Sequence, residues 1–233
     1  MARPWLTIDR SETPDGPLEL RQRGEDDFLI TLGGRVLMNS HASRSEEALA
    51  GLTCARLAHR SAPRIVVGGL GMGCTLRVAL DVLPAEARVS VCELNSVVAG
   101  WCRGALARVN GAALDDPRVT LILGDVSAHI RELADGEAAS RADAILLDLY
   151  EGPHAETDAE RDPFYGAKAL RATRRALAAD GCFAIWSEGP DSGFERRLGQ
   201  AGFAAVALHR PGRGGRRHAV YVASAEAAQG AGH

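Results

Sequence analysis

The chain has 233 residues, 46% of them apolar and 24% charged, with a formal net charge of −3. That is enough for one sizeable domain with a core of its own, and the slightly acidic balance gives no overall attraction to nucleic acid. No run reaches the roughly 18 apolar residues that a membrane-spanning helix needs, and Met1–Asp9 lacks the apolar stretch of a secretion signal, so a cytoplasmic chain without membrane association is expected.

The first predicted elements are short strands. Leu18–Gln22, Phe28–Leu32 and Arg35–Met38 alternate or run apolar, with a turn at Gly24–Asp27 and a two-residue hairpin signal at Gly33-Gly34. They predict a small antiparallel unit over residues 1–42. Ser43–Leu57 reads as a helix, with Ser43 or Ser45 as its cap and Leu49, Leu52 and Leu57 on one face. From Pro63 the rhythm becomes strand–helix. Strands are predicted at Arg64–Val67, Arg88–Cys92, Val119–Leu123, Ala142–Leu147 and Gly181–Trp186. Helices follow the turn after Val67 and cover Ser96–Val109, Ser127–Leu133 and Ala167–Ala178. A helix over Phe194–Ala201 leads to a closing strand pair, Ala204–His209 and His218–Val222. Repeated βα units of this length predict an α/β fold, a doubly wound, mostly parallel sheet, over residues 43–223. Residues 224–233 read as a polar tail.

The five cysteines make no CxxC pair, fall in apolar segments, and read as small core residues. Seven histidines form no HxxxH or HxH pair, so no metal site is expected. Lys168 is the only lysine beside 26 arginines, a bias that fits a GC-rich coding sequence rather than guanidinium chemistry. The turn Arg210–Arg217 is basic but carries no interleaved aromatics, and reads as a solvated loop.

Three features converge on one place. The strand Ile65-Val-Val67 runs into Gly68-Gly-Leu-Gly-Met-Gly73, a turn where backbone must approach a nucleoside closely; Gly68, Gly69, Gly71 and Gly73 are its candidates. Glu93 ends the next strand, where a carboxylate accepts from ribose hydroxyls, with Leu94 beside it. Asp125 ends the third, placed to accept from an adenine amine while Val126 packs on the ring. Asp148 ends the fourth. All three acids would line the crevice outside the strands' carboxyl ends, although each alone also reads as a helix cap. The glycine spacing, GGxGxG rather than GxGxxG, and acids where a pyrophosphate would lie count against a dinucleotide. Asp148, Tyr150 and Glu151 are the catalytic candidates. The loop beyond them, through His154 to Tyr165, is long enough to be a lid. Trp186-Ser-Glu188 is a further candidate wall.

The segments Arg64–Gly73, Val91-Cys-Glu-Leu-Asn95, Leu123-Gly-Asp125, Ala144–Asp148 and Ala179–Cys182, behind N-terminal hairpins and an acidic helix, resemble the spermidine synthase-like branch of class I S-adenosylmethionine-dependent enzymes. The resemblance covers about Gly33 to Val222. It implies a Rossmann-like methyltransferase fold, S-adenosyl-L-methionine or its decarboxylated form as donor, ribose on Glu93, adenine on Asp125, and the reactive end or acceptor amine at Asp148. Three departures stand out. Aminopropyltransferases of polyamine biosynthesis carry an acid within the glycine turn, where this chain has Gly71. Their Asp-x-x-Asp-Pro motif is replaced by Asp148-Leu-Tyr-Glu-Gly-Pro153. The tyrosine expected near Ser45 to Glu47 is missing. The expectation is therefore methyl transfer to a small-molecule amine. Aminopropyl transfer is the alternative, and a non-catalytic nucleotide- or partner-binding module a third reading. A homodimer is compatible with all three.

Overall fold

The computed structural model describes residues 3–41, 43–154, 156–211 and 218–225. Four strands open the chain, β1 (Leu6–Thr13), β2 (Gly16–Arg23), β3 (Asp27–Leu32) and β4 (Arg35–Asn39), paired antiparallel in sequence order. β1 has no counterpart in the sequence reading, because Leu-Thr-Ile-Asp-Arg-Ser-Glu-Thr leaves nearly every side chain exposed. In β2 and β3 the alternation is decisive. Leu18, Leu20, Phe28 and Ile30 are buried and cluster with Leu49, Leu57, Ile65 and Val67. Each such burial stabilises by about 1.5–3 kcal/mol, so these four side chains dock the small sheet firmly on the central core.

Helix α1 (Arg44–Cys54) follows. Ser43 holds the N-cap position, its carbonyl accepting from the Glu47 N–H (2.8 Å), but neither serine's hydroxyl caps a backbone N–H. The Ser43 hydroxyl donates to Glu47 Oε1 (2.6 Å) and the Ser45 hydroxyl to Glu46 Oε2 (2.7 Å), so both are spent on side chains.

The central sheet has seven strands in the order β10 (Ala205–His209), β11 (Ala219–Ser224), β9 (Leu177–Ser187), β8 (Ala142–Leu147), β5 (Arg64–Gly68), β6 (Arg88–Glu93) and β7 (Val119–Leu123). The five from β7 to β9 run parallel, and β11 and β10 close the edge antiparallel. Helices α2 (Cys74–Val82), α3 (Ser96–Arg103), α4 (Ala107–Asn110), α5 (Val126–Asp135), α6 (Ala167–Ala176) and α7 (Ser192–Gln200) form the connections. All six residues of β8 are buried, as expected for a strand with helices on both faces. This is the doubly wound α/β architecture. The order reverses between β5 and β8, and a crevice opens at that switch point outside the strand ends.

Two boundaries differ from the periodicity. The helix expected over Ser96–Val109 breaks at Gly104, whose backbone leaves helical geometry, into α3 and α4. Strand β9 begins four residues early, at Leu177, because the Ala-Ala-Asp-Gly stretch has no apolar pattern. Residues 212–217 of the basic turn and 226–233 of the predicted tail lie outside the described residues. Cys54, Cys92 and Cys102 are buried among core side chains, and burial pushes their thiols up to about 12. No helix among the described residues is long and apolar enough to cross a membrane.

Candidate active site

The floor of the crevice is built from backbone. The Asp148 N–H donates to the Gly68 carbonyl (2.8 Å) and the Gly69 N–H to the Cys92 carbonyl (3.0 Å), which ties the tips of β8, β5 and β6 together. Gly69 has φ +86°, and a Cβ there would run into the Asp148 carbonyl. Gly71 has φ +53°, and its Cβ would lie 2.5 Å from Met38 Sδ. Only these two of the four candidate glycines line the cavity. Gly68 and Gly73 stand behind that lining: a Cβ on Gly68 would meet Leu147 and Val126, and one on Gly73 would meet Asn110.

The strand-tip acids hold this floor in shape. Glu93 accepts from the Leu70 N–H through Oε2 (3.0 Å) and from the Asn95 N–H through Oε1 (2.8 Å). One carboxylate thus pins the glycine turn to the end of β6 while still lining the cavity. Asp125 caps α5, accepting from the Ser127 N–H (2.8 Å) and hydroxyl (2.6 Å). Capping and lining are not exclusive here, since each carboxylate oxygen has a second lone pair. Asp148 accepts from the Thr75 hydroxyl at 2.5 Å. Burial, and then the negative charge of Glu46, push its carboxyl up to about 7, against the partial pull of Thr75.

The cavity has a volume of about 490 Å³, the size of a small-ligand site. Glu46, Glu93, Asp125, Asp148, Glu151 and Asp162 line it, with no lysine or arginine among the described lining residues. Leu94, 80% exposed, and Val126 present apolar surface at the β6 and β7 ends. Leu37 and Met38 of β4, Glu46 of α1 and Trp186 of β9 close it from other directions.

The loop after β8 is pinned rather than free. The Tyr165 hydroxyl donates to the Glu151 carbonyl (3.0 Å), the Ser187 hydroxyl donates to the Pro153 carbonyl (3.0 Å), and Asp162 Oδ1 accepts from the Phe164 and Tyr165 N–H groups. Tyr150 and Glu151 sit at the rim, where both engage Arg35. Its guanidinium lies 4.8 Å over the Tyr150 ring and 3.7 Å from Glu151 Oε1. Of the catalytic candidates, only Asp148 is deep. Trp186 lines the cavity, whereas Glu188 lines a neighbouring polar one. Sequence reasoning missed Met38, Glu46 and Asp162. Nothing in their local sequence signals a site, because tertiary packing brings them in.

The donor set fits an adenosyl sulfonium. Glu93 offers acceptor capacity for vicinal hydroxyls, Asp125 for an amine, and the glycine turn leaves room a side chain would fill. An acid-lined cavity also suits positive charge and repels a pyrophosphate.

The spermine/spermidine synthase domain matches residues 46–192, more than half of the chain, and the chain belongs to that family. A polyamine aminopropyltransferase of Corynebacterium efficiens is 32% identical over 146 residues, covering 63% of this chain and 26% of that protein. Putrescine N-methyltransferase 4 of Nicotiana tabacum is 33% identical over 109 residues, covering 46% of this chain and 26% of its own. The chain thus spans about a quarter of the length of each. The crystal structure of spermidine synthase from Thermotoga maritima superposes with a TM-score of 0.74 at 19% identity, over 94% of this chain and 72% of that one. That likeness is one of fold.

Proposed function

We propose that the chain is a transferase that moves an aminopropyl group from decarboxylated S-adenosylmethionine to a small-molecule amine. The observation that carries this reading is the acid-lined crevice of a spermine/spermidine synthase domain, with Asp148, whose carboxyl is pushed up to about 7, among its lining residues. It replaces methyl transfer as the first reading, because family membership and the Corynebacterium relative favour the polyamine alternative.

The donor, when bound, would supply a propyl carbon activated by its sulfonium, and the C–S bond that breaks would release methylthioadenosine. Everything else falls to this chain. Glu93 and Asp125 hold the nucleoside, and Gly69 and Gly71 admit it close to backbone. Asp148, its carboxyl pushed up to about 7 by burial, accepts in its ionised form a proton from the acceptor ammonium and frees the lone pair. Thr75 fixes the carboxylate's orientation, and the pinned loop after β8 keeps the acceptor's approach narrow. Tyr150 and Glu151 act at the entrance rather than at the reacting atoms. Positioning carries most of the acceleration in such a substitution.

Methyl transfer from S-adenosylmethionine is the second reading. The observation that favours it is Gly71, where no acid stands on the turn to hold the donor's free amine, beside the N-methyltransferase relative. Incubating the protein with each donor and putrescine, then weighing the product by mass spectrometry, decides between them. An aminopropyl adduct is expected. A methyl adduct reverses the order of the two readings, and no adduct with either donor removes both for this acceptor.

A further inference from the structure

Behind the glycine turn, outside the cavity lining, the backbone is held a second time. Leu70 to Gly73 is a tight turn, closed by the Gly73 N–H on the Leu70 carbonyl (2.7 Å), with Gly71 at φ +53°. Glu93 holds its Leu70 N–H (3.0 Å). Two buried groups hold the carbonyls that follow. The Cys102 thiol donates to the Gly71 carbonyl (3.2 Å), and Asn110 Nδ2 donates to the Met72 carbonyl (3.2 Å). Neither of these two side chains lines the cavity.

Asn110 is the hub of this support. It is 1% exposed, and both ends of its side-chain amide are used. Nδ2 also donates to the Cys102 carbonyl (3.2 Å), one of the last carbonyls of α3, which the helix itself leaves unpaired. Oδ1 accepts from the Ala113 N–H (3.3 Å). The bend that delivers this N–H is strained. Gly111 (φ +63°) and Ala112 (φ +55°) are successive left-handed residues, and Ala112 is the only non-glycine residue with positive φ among those described. Alanine holds that conformation only where its surroundings impose it. Gly73 completes the fit, since a Cβ there would stand 2.7 Å from Asn110 Cβ. A buried amide, a strained bend and a glycine thus converge on the back of a turn whose Gly71 faces the cavity.

Resting on the adenosyl-binding reading, we propose that Asn110 is a positioning residue for the donor nucleoside. It acts through the Leu70–Gly73 turn, fixing the Met72 carbonyl so that Gly71 keeps its left-handed backbone and the nucleoside its close approach. The position requires an amide, because two donors on one atom with an acceptor beside them serve two carbonyls and one N–H at once. An aspartate has the same shape but, even when protonated, offers a single donor.

The test pairs calorimetric titration of methylthioadenosine with backbone amide hydrogen exchange, on wild type, Asn110→Asp, Asn110→Ala and a control, Leu198→Ala. Leu198 is fully buried on α7 and outside the cavity lining, so its truncation lowers stability without touching the turn. Asn110→Asp is expected to bind about tenfold or more weakly, Asn110→Ala about three- to tenfold, and Leu198→Ala within about twofold of wild type. Exchange should quicken at residues 69–73 beyond the rest of the sheet in the Asn110 variants, and not in Leu198→Ala. Local quickening together with weaker binding is a signature that lost stability alone does not give. Asn110 variants that bind within about twofold of wild type, or whose faster exchange spreads evenly over the sheet, overturn the proposal. If wild type itself fails to bind methylthioadenosine, the donor-site reading falls, and exchange at the turn still decides whether Asn110 holds it. Should Asn110→Asp not fold, Asn110→Ala carries the same comparison, with unfolding midpoints showing which variants are folded.

Discussion

On the strand-tip side of the crevice the acids serve the backbone first: Glu93 pins Leu70 and Asn95, and Asp125 caps α5. On the opposite side, Met38 and Glu46 come from β4 and α1 and meet the cavity only because four apolar side chains dock the N-terminal sheet. The first wall is made by local chain geometry and the second by long-range packing. The first should therefore be sensitive to backbone changes and general to any adenosyl ligand. The second should be tolerant of them and selective for the acceptor. Asp148 lies between, tied to the β5 tip by its N–H and held toward its neutral form by burial and by the charge of Glu46 on α1.

The largest effect is expected where the walls meet. Asp148→Asn keeps the shape but removes the base, so steady-state turnover should fall about a hundred- to ten-thousandfold while donor affinity changes little. Activity retained within tenfold would make the carboxylate a structural group. The raised carboxyl also carries a pH signature. Its ordinary value is 3.8 and its folded value about 7, so between those pH values the folded chain holds a proton that the unfolded chain has released. This group's contribution to stability is fully present below about pH 4 and is lost as pH rises through about 7. Denaturant titrations across that window should show wild type losing stability relative to Asp148→Asn, while wild-type turnover rises. A pH-independent difference between the two would contradict the burial argument.

The next effect separates the two walls directly. Gly69→Ala places a Cβ against the Asp148 backbone carbonyl at positive φ, and should destabilise the fold by at least about 2 kcal/mol. Gly71→Ala meets only the end of the Met38 side chain, which has three rotatable bonds to move away. Its cost in chemical denaturation should be smaller, about 1 kcal/mol from the backbone alone. A reversal of that order would mean the N-terminal wall is the more rigid. The smallest effect belongs to the rim. Arg35→Ala loses an exposed ion pair and a stacking contact, so stability should change by less than about 1 kcal/mol and the acceptor KM by no more than about threefold. A larger KM change would promote Arg35 from rim to binding site.

The same contrast explains what the sequence could tell. The strand-tip wall was legible because apolar strands, glycines and terminal acids are neighbours in the chain, and their order places them at one sheet edge. Gly68 and Gly73 belong to the same glycine turn in the sequence, and that Leu147, Val126 and Asn110 stand where their Cβ atoms would be is visible only in the packing. β1 escaped because a strand exposed on both faces has no alternation to read. Glu46 escaped for a deeper reason. Within α1 it is one of two adjacent acids in a first helical turn, and only the docking of α1 beside His218 and Trp186 distinguishes it from Glu47.

The central claim is that the strand-tip wall binds an adenosyl group through Glu93. Calorimetric titration of methylthioadenosine into wild type and Glu93→Gln tests it most directly, because that ligand is what aminopropyl transfer leaves behind and carries the adenosyl group that both donors share. The variant should bind about ten- to a hundredfold more weakly, with its circular dichroism spectrum unchanged. Equal affinity in the two proteins would take Glu93, and the nucleoside with it, out of the crevice.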